Sequence, residues 1–450
     1  MTLLITLLPL IISTVSNRLP CKKNFVLKTI LLLGAGKSAT VLINYLLKEA
    51  AENKWKFIIA DANKEQILLK TNNSRFAEAV QLDITNDRKR EKIIQRAHVV
   101  ISMMPPTLHF LVAKDCVEYR KHLLTASYLD TNIKSLRDEI AQRKLLFLCE
   151  AGLDPGIDHM SAMKIIDAIK TKGGTVTSFK SHCGGLVAPE SDNNPWHYKI
   201  SWNPRNVVLA GNAGAKYKLN NTIQHESYEE LFKNCSCVHI DGIGKLAVYP
   251  NRDSLSYIPL YKLNNVETFI RTTIRYPSFC EGWSAIVKAD LGNATIEINT
   301  DKLSFVKWSA AIIPFINDDN QTMLQWLGLF VETMVPVAAK TSADILQFLL
   351  ETKLAMQPTD KDMIVMLHEI DYTLAGKTTK IESSLIVKGE DSLQTAMAKT
   401  VGLPLGIAAK LILNGQLKLT GLHIPIIKEI YDPILKELEI NGIRFTEKEI

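Results

Sequence analysis

Residues 29–39 read TILLLGAGKSA, a short apolar run followed at once by a glycine-rich turn. The segment Gly34-Ala35-Gly36-Lys37-Ser38-Ala39 has the spacing G-x-G-x-x-A and leads into a helical pattern. Glycines at this spacing let the backbone turn tightly and approach a pyrophosphate, and the helix start supplies unpaired N–H groups. The spacing alone is weak evidence for a dinucleotide site. Its place between a strand and a helix predicts a dinucleotide site at Gly34, Ala35, Gly36, Lys37 and Ser38.

Apolar runs and charged helical runs alternate after this turn. The apolar runs are KFIIAD, AVQLDI, HVVISMM, HLLTAS and KLLFLCE, with stretches such as DRKREKIIQRA between them. Strands that alternate with helices of about 10–15 residues are typical of a parallel sheet covered on both faces. We therefore predict an α/β fold with a Rossmann doubly wound sheet over residues 25–152. Ligands of such a sheet bind at the carboxyl ends of its strands.

The pattern changes near Ala151. Residues 153–285 read mainly as strands and long loops, and residues 286–355 as helices. DMIVMLHEIDYTL and KIESSLIVKG, within residues 356–395, predict two antiparallel strands. Residues 396–450 predict helices, with Gly402, Pro404 and Gly415 as the residues expected to break or end them.

The composition is that of an ordinary soluble globular protein. Of 450 residues, 46% are hydrophobic and 22% are charged, and the net charge is +6. Blocks of like charge and basic stripes with interleaved aromatics are absent from the sequence, so we expect no nucleic acid partner and no membrane partner. The seven cysteines lack metal-ligand spacing. They predict reduced thiols in a cytoplasmic protein without a bound metal.

An apolar leader, residues 1–24, precedes the predicted nucleotide domain. Its run MTLLITLLPLIISTV has the length of a secretory signal core and is short for a membrane span. The run begins without a positive residue. We interpret it as an extra leader or an upstream start, with a secretory signal as the alternative.

Carboxylates end the second and third predicted strands. Asp61 ends the second, where a carboxylate accepts hydrogen bonds from the adenosine ribose and repels a 2′-phosphate. This predicts NAD more than NADP, although Lys64 is near, and a helix cap is the alternative role of Asp61. Asp83 has two candidate roles, an adenine contact or a helix cap. Ser102 ends the fourth strand, where the nicotinamide side begins.

Three further clusters are candidates for substrate binding. Ser127-Tyr128 follows the fifth strand, and the segment 152–159, GLDPGIDH, follows the sixth. A turn between domains is the alternative role of the second cluster. Arg252 and Arg275 form the third cluster, and arginine grips carboxylates bidentately. Surface ion pairs are their alternative role.

Nine segments in order carry a family resemblance. They are LLLGAGKSA, VVISMMPPTLH, LLTASYLD, EAGLDPGIDHM, CGGLVAPESDNNPWHYKISW, YPNRDS, IRTTIRY, KDMIVML and TAMAKTVGLP. Together they resemble the glutamate-forming saccharopine dehydrogenases, also called saccharopine reductases, and the dehydrogenase half of the bifunctional aminoadipic semialdehyde synthases. The resemblance runs from about Ile30 to the C-terminus.

The resemblance implies an architecture and an activity. The architecture is a Rossmann domain, a mixed α/β domain for substrate binding and dimerisation (153–285), a small helical domain (286–355), a return to the mixed domain (356–395) and C-terminal helices that return to the first domain (396–450). The activity is NAD(P)-dependent oxidative cleavage of saccharopine to glutamate and aminoadipate semialdehyde, or its reverse, in a homodimer. The alternatives are a related amine-joining reductase, such as carboxynorspermidine dehydrogenase, and an inactive NAD(P)-binding scaffold.

The resemblance also carries site residues. The implied cofactor contacts are Gly34–Ser38, Asp61, Asp83, Ile84, Ser102, Ser127, Leu153, Asp154, Pro155 and Asn203. The implied substrate contacts are Ser127, Tyr128, Asp154, Arg252, Thr273, Ile274 and Arg275. Asn203 stands where serine is more frequent in the family, and Val187 where proline is usual.

The reaction needs a general base, because the secondary amine must be neutral when hydride leaves and the added water must lose a proton. Tyr128, Asp154 and Cys183 are the polar candidates near the predicted junction. Cys183 has an alternative role as a buried small apolar residue. A bound water is a further candidate.

Overall fold

A parallel seven-stranded sheet and a mixed ten-stranded sheet form the framework of the molecule. The computed structural model describes residues 27–233 and 235–450. The predicted leader, residues 1–24, lies outside the described residues. The strands are β1 (Thr29–Leu33), β2 (Lys56–Asp61), β3 (Ala77–Gln81), β4 (Val99–Ser102), β5 (His122–Thr125), β6 (Leu146–Leu148), β7 (Thr175–Val187), β8 (Ala215–Leu219), β9 (Thr222–Glu226), β10 (Ser236–Ile240), β11 (Gly244–Pro250), β12 (Arg252–Asp253), β13 (Thr268–Arg275), β14 (Asp362–Leu374), β15 (Lys377–Lys388), β16 (Gly421–His423) and β17 (Thr446–Glu449).

The α-helices pack on these sheets and between them. They are α1 (Thr40–Asn53), α2 (Lys64–Thr71), α3 (Asp87–Ile94), α4 (His109–Glu118), α5 (Thr131–Ser135), α6 (Arg137–Gln142), α7 (Ile157–Thr171), α8 (Pro204–Val208), α9 (Pro277–Lys288), α10 (Phe305–Trp308), α11 (Gln321–Leu327), α12 (Ser342–Lys353), α13 (Ala396–Leu413) and α14 (Lys428–Ile440).

The first sheet has the strand order β16-β6-β5-β4-β1-β2-β3, and all its pairs are parallel. All five residues of β1 are buried, as a central strand covered by helices on both faces requires. The predicted Rossmann fold is confirmed. The seventh strand, β16, comes from the C-terminal segment and pairs with β6. Its three residues are too few to show a strand period in the sequence.

Helix α13 packs against α1 and β4 of the nucleotide-binding sheet. The expectation that Gly402 and Pro404 break or end the helix is wrong, because both residues lie inside it. An added Cβ at Gly402 would lie 2.9 Å from Leu42 Cβ, so the two helices approach closely there. Within residues 27–233 and 235–450, α13 is the one helix long and apolar enough to cross a membrane, and 78% of it is buried inside the protein.

The second sheet has the main order β10-β11-β13-β7-β14-β15-β17. The antiparallel pair predicted for residues 356–395 is present as β14 and β15. Strand β13 runs parallel to β7, with Thr273 opposite Cys183. Because side chains alternate along a strand, Arg271, Thr273 and Arg275 share one face of β13 and Ile274 lies on the other.

The tryptophan-rich segment after β7 is anchored in the helical part of the molecule. Residues 183–187 belong to β7, so the irregular segment begins after Val187. Trp196 is fully buried, and its Nε1 donates to Met323 O at 2.9 Å. Its ring packs edge-on against Phe279 and Trp283. The buried indole therefore anchors a segment that is not held by strand pairing.

Trp196→Ala is expected to lower the free energy of unfolding by about 3–5 kcal/mol, because it leaves a cavity and removes the hydrogen bond from the indole to the Met323 carbonyl. Urea denaturation checks this. Trp326→Ala is the matched control, since Trp326 is half-buried, and its cost should stay below about 1.5 kcal/mol. Equal costs for the two variants would contradict the anchoring role of Trp196.

Candidate active site at the junction of the two sheets

The loop after β1 has the geometry of a pyrophosphate cradle. Gly34 has φ +96°, and a Cβ there would lie 3.0 Å from Met103 O, so glycine is required. Lys37 and Ser38 start the helical segment, and no side chain caps it at Gly36. The space around Gly36 is open to 4 Å. Free N–H groups beside open space fit a dinucleotide phosphate.

Asp61 ties the end of β2 to this loop. Its Oδ2 accepts from Ala35 N at 2.7 Å, and its Oδ1 accepts from Asn63 N at 2.9 Å. The alternative role as a helix cap is wrong, because Asn63 caps α2 by accepting from Gln66 N. Both carboxylate oxygens of Asp61 therefore hold backbone groups at the edge of the predicted nucleotide site.

Asp83 and Ile84 lie beyond β3. The Asp83 carboxylate accepts from the amide and hydroxyl of Thr85 at 2.9 and 2.7 Å, and these bonds lower its pKa. Asn86, rather than Asp83, caps α3. Ile84 is buried, and its carbonyl accepts from Arg90 at 2.8 Å. Asp83 thus remains exposed at the carboxyl edge of the sheet.

Ser102 and Ser127, at the ends of β4 and β5, are joined by a histidine that sequence reasoning missed. His109 Nδ1 lies 2.8 Å from Ser102 Oγ, and its Nε2 lies 2.8 Å from Ser127 Oγ. Thr125 Oγ1 is a weaker contact of Nε2 at 3.3 Å. The histidine is 2% exposed. The sequence signal that could have identified His109 is its place in VVISMMPPTLH, one of the segments that carry the family resemblance.

The turn after β6 places two carboxylates side by side. Gly156 has φ +148°, and a Cβ there would lie 2.1 Å from Gly152 O, so no other residue fits. Leu153 and Pro155 are buried within the turn. Asp154 projects from it, and Asp158 lies in the first turn of α7, where its Oδ1 accepts from Gly156 N at 2.6 Å.

Arg271 of β13 binds both carboxylates. Its guanidinium Nη2 donates to Asp158 Oδ2 at 2.8 Å and to Asp154 Oδ1. The Tyr128 hydroxyl donates to the same Asp154 oxygen at 3.2 Å. Arg271 is 2% exposed, and its Nε and Nη1 have no hydrogen-bond partner among the described residues. We call Asp154, Asp158, Arg271 and Tyr128 the junction cluster.

Burial and charge tune the junction cluster. Burial, with Asp158 adding to it, raises the pKa of Asp154 against the opposing effect of Arg271. Burial also favours neutral Asp158, but the nearby His159 and Arg271 and the hydrogen bond from the Gly156 amide outweigh it and lower the pKa of that carboxyl. Burial raises the pKa of Tyr128 far above neutrality. Tyr128 therefore keeps its proton, and Asp154 is the group in the cluster that is poised to take one.

A second buried network supports the cluster from behind. His159 Nε2 lies 2.9 Å from Glu150 Oε2, and its Nδ1 lies 2.5 Å from the Tyr261 hydroxyl. Tyr257 donates to Glu150 Oε2 at 3.0 Å, and its ring centroid lies 4.7 Å from Arg271 Cζ. This network connects the end of β6, α7 and the strand-rich domain.

The predicted arginines occupy two different environments. Arg252 is exposed, and its Cζ lies 5.0 Å from the ring centroid of Tyr128. Arg275 is buried over the Tyr198 ring, at 5.2 Å, and donates from Nη1 to Ile274 O at 2.8 Å. The Ile274 side chain packs in the apolar cluster on the far face of β13, so its backbone alone can face the junction.

Thr273, Cys183 and Asn203 complete the predicted set. Thr273 is half-buried on the junction face, and Cys183 lies opposite it on β7. Burial raises the pKa of the Cys183 thiol well above its usual range, so Cys183 is a poor general base. Asn203 is exposed and caps α8 by accepting from Arg205 N at 2.9 Å. Within the described residues, no group of three or more His, Cys, Asp or Glu side chains is placed to hold a metal ion.

A glycine-rich loop at the carboxyl edge of a doubly wound sheet, beside a buried polar cluster, defines a dinucleotide-binding protein of the Rossmann class. The family model described as the saccharopine dehydrogenase NADP binding domain matches residues 30–148, and the saccharopine dehydrogenase C-terminal domain matches residues 152–443. The chain belongs to the saccharopine dehydrogenase family, and the predicted resemblance is confirmed.

Individual relatives agree with the family models. The chain is 34% identical to the saccharopine dehydrogenase [NADP(+), L-glutamate-forming] of Saccharomyces cerevisiae, over 94% of this chain and 99% of the relative. It is 33% identical to the mitochondrial alpha-aminoadipic semialdehyde synthase of Mus musculus, over 93% of this chain and 47% of that longer protein. The solved apo structure of the L-Glu-forming enzyme from Saccharomyces cerevisiae matches with a TM-score of 0.84 and 32% identity, over 94% of this chain and all of the other.

The comparisons support a nicotinamide dinucleotide but not the expected preference for NAD. The matched domain and the yeast relative are both named for NADP. The prediction of NAD assumed that the Asp61 carboxylate is free to serve the ribose. In the structure each of its two oxygens already accepts one backbone hydrogen bond, from Ala35 and from Asn63.

Arg271→Met is expected to cost about 3–5 kcal/mol of unfolding free energy, because it leaves two buried carboxylates without their cation. Adding Asp158→Asn should recover part of that loss. Arg252→Met is the matched control, since Arg252 also lies over the Tyr128 ring but is exposed. Chemical denaturation measures all three, and a loss below about 1 kcal/mol for Arg271→Met would contradict the ion cluster.

Proposed function

We propose that this protein oxidises saccharopine to L-glutamate and 2-aminoadipate 6-semialdehyde with NADP, or catalyses the reverse reaction. The observation that supports this most strongly is the junction cluster, in which a carboxylate with a raised pKa lies beside a protonated tyrosine. Family membership and the names of the relatives support the choice of substrate.

The reaction breaks the C–H bond at the lysine-side ε-carbon of saccharopine and forms a C=N bond to the neighbouring nitrogen. Water adds to that bond and loses a proton. The C–N bond then breaks as the hydroxyl proton passes to the leaving nitrogen, which gives the aldehyde and an amine that takes up one further proton. A bound NADP would accept the hydride. The net reaction consumes one water and releases one proton.

Asp154 is the proposed general base. It takes a proton first from the secondary amine, which must be neutral when hydride leaves, and then from the attacking water. Arg271 holds the Asp154 carboxylate in place, and the Tyr128 hydroxyl, which stays protonated, donates to it. Between the two steps, the proton leaves Asp154 to solvent, since this side chain is 12% exposed.

The arginines are proposed to hold the substrate carboxylates. Arg252 is exposed at the Tyr128 ring, and Arg275 has an Nε without a hydrogen-bond partner among the described residues. Arg275 and Arg271 share one face of β13 with Thr273 between them. Carboxylates held along this face fix the reacting carbon and supply the positioning on which the rate depends.

NADP is the proposed cofactor, and Lys70 is its proposed 2′-phosphate contact. Lys70 Nζ donates to Gly36 O at 2.5 Å, which places an ammonium group at the edge of the loop near Asp61. Burial lowers the pKa of Lys70 to about 8, against the effect of Asp61. Lys70 thus stays mainly charged at pH 7. A phosphate beside it gains a charge-assisted hydrogen bond.

The activity is tested by following NADPH formation with saccharopine, and with lysine, glutamate and carboxynorspermidine as controls. Of these four compounds, we expect only saccharopine to be turned over. Asp154→Asn should reduce kcat by about 10²–10⁴-fold, as expected for loss of a general base. Turnover of carboxynorspermidine instead, or no reduction of NADP with saccharopine, would contradict the proposal.

Lys70→Met is expected to raise the KM for NADPH about tenfold, because a charge-assisted contact is lost, and to leave the KM for NADH unchanged. In the parent enzyme, affinity for NADPH should fall as pH rises through about 8, where Lys70 loses its charge. Lys64→Met is the matched control, since Lys64 is exposed in the first turn of the same helix. Equal effects on NADH and NADPH would exclude a 2′-phosphate contact.

A further inference from the structure

His109 lies between the two sites without belonging to either of their predicted contact sets. It starts α4, and its ring spans the ends of β4 and β5. Met103, which follows Ser102, packs under Gly34 of the nucleotide loop. Tyr128, which follows Ser127, donates to Asp154 of the junction cluster. The His109 ring therefore joins one residue beside the nucleotide loop to one beside the general base.

The hydrogen bonds of Ser102 assign the tautomer of this ring. Ser102 is 1% exposed, and among the described residues its Oγ has one partner, His109 Nδ1 at 2.8 Å. A buried hydroxyl without an acceptor costs free energy, so the Ser102 O–H donates to Nδ1. A neutral imidazole that accepts at Nδ1 carries its proton on Nε2.

The proton on Nε2 sets the direction of the next bond. Nε2–H donates to Ser127 Oγ at 2.8 Å. The neighbouring Thr125 Oγ1 accepts from the Ser127 amide at 3.3 Å and lies 3.3 Å from the same Nε2. With one lone pair occupied by His109, the half-buried Ser127 hydroxyl has its own proton free for a ligand.

The imidazole stays neutral in this environment. Burial lowers the pKa of His109 to about 4, and Asp130, the charged group that opposes the shift, does not overcome it. The ring therefore does not change its charge at neutral pH, which distinguishes it from an acid or a base in turnover.

We propose that His109 is a positioning residue, a neutral Nε2–H imidazole held between Ser102 and Ser127 that orients the Ser127 hydroxyl as a donor to the ligand at the junction of the nucleotide and substrate sites. The chemistry it selects in that ligand is a hydrogen-bond acceptor, such as an amide carbonyl or a carboxylate oxygen. The link to saccharopine rests on the proposed function, whereas the tautomer and its effect on Ser127 do not.

A double-mutant cycle tests the coupling. His109→Phe and Ser127→Ala should each lower kcat/KM, or the affinity for NADPH measured by fluorescence, by about tenfold. Because both act through one hydroxyl, the double variant should be no worse than Ser127→Ala. His109→Gln, whose amide offers one acceptor and one donor, should restore most of the loss. Independent effects that multiply to about a hundredfold would overturn the proposal.

His122→Phe is the matched control for general damage to the sheet. His122 lies at the opposite end of β5, where its Nδ1 accepts from Leu146 N at 2.9 Å. We expect His122→Phe to lower stability but leave kcat/KM and NADPH affinity within twofold. If His109→Phe behaves in the same way, the role of His109 is structural only, and the proposal is wrong.

The tautomer has a direct readout that needs neither turnover nor a folded Phe variant. In the whole enzyme with 15N-labelled histidine, the signal lost in His109→Gln identifies His109. We expect a neutral Nε2–H ring that shows no titration between pH 6 and 8. An Nδ1–H tautomer, or a midpoint in that range, would overturn the proposal even if the enzyme turns over saccharopine. The tautomer can be measured in the same way if the enzyme does not turn over saccharopine.

Discussion

The placement of the active site depends on one buried ion cluster. Arg271 carries a single guanidinium between Asp154 and Asp158, which are 117 and 113 residues away in the chain. Burying these charges costs free energy, and mutual neutralisation with several hydrogen bonds offsets that cost. Such a cluster tolerates little displacement, because each charge is costly without its partners. It therefore fixes the turn after β6 of the nucleotide-binding sheet against β13 of the second sheet.

The same cluster explains the charge distribution of the junction. Two carboxylates and one guanidinium leave one net negative charge, which favours the cationic secondary amine of a substrate that approaches it. Arg252 and Arg275 lie at its margins, where carboxylates of the same substrate are attracted. Tyr128 stays neutral and supplies a hydrogen bond instead of a charge. An amino acid with one internal amine and several carboxylates matches this pattern of charge.

The sequence predicted the nucleotide half of the molecule well, because each step there is local. The run TILLLGAGKSA contains the strand, the glycine turn and the first short helical turn in contiguous residues, and the structure has all three. Asp154 and Tyr128 were predictable because both follow strand ends. The helix through Pro404 was not, because long-range packing overrides the local signal there.

Arg271 and His109 were missed for a different physical reason. Arg271 lies in IRTTIRY beside the predicted Arg275, yet nothing local distinguishes a buried ion-pair arginine from a surface one. Its partners come from a turn more than a hundred residues earlier. His109 lies in an apolar helix start, where a histidine usually reads as a core residue, and its meaning depends on two strand ends that meet only in the fold. The sequence likewise gives no indication of a binding role for Lys70, because its contact with the loop exists only once α2 is placed against that loop.

A crystal structure of the Asp154→Asn variant with NADP and saccharopine bound tests the role of Asp154 most directly. We expect the secondary amine of saccharopine to lie within about 3.2 Å of both the residue 154 side chain and the Tyr128 hydroxyl, with the Arg271 to Asp158 contact intact. An amine more than about 5 Å from residue 154, or a substrate bound away from the face of β13 that carries Arg271, Thr273 and Arg275, would contradict the role of Asp154 as the general base.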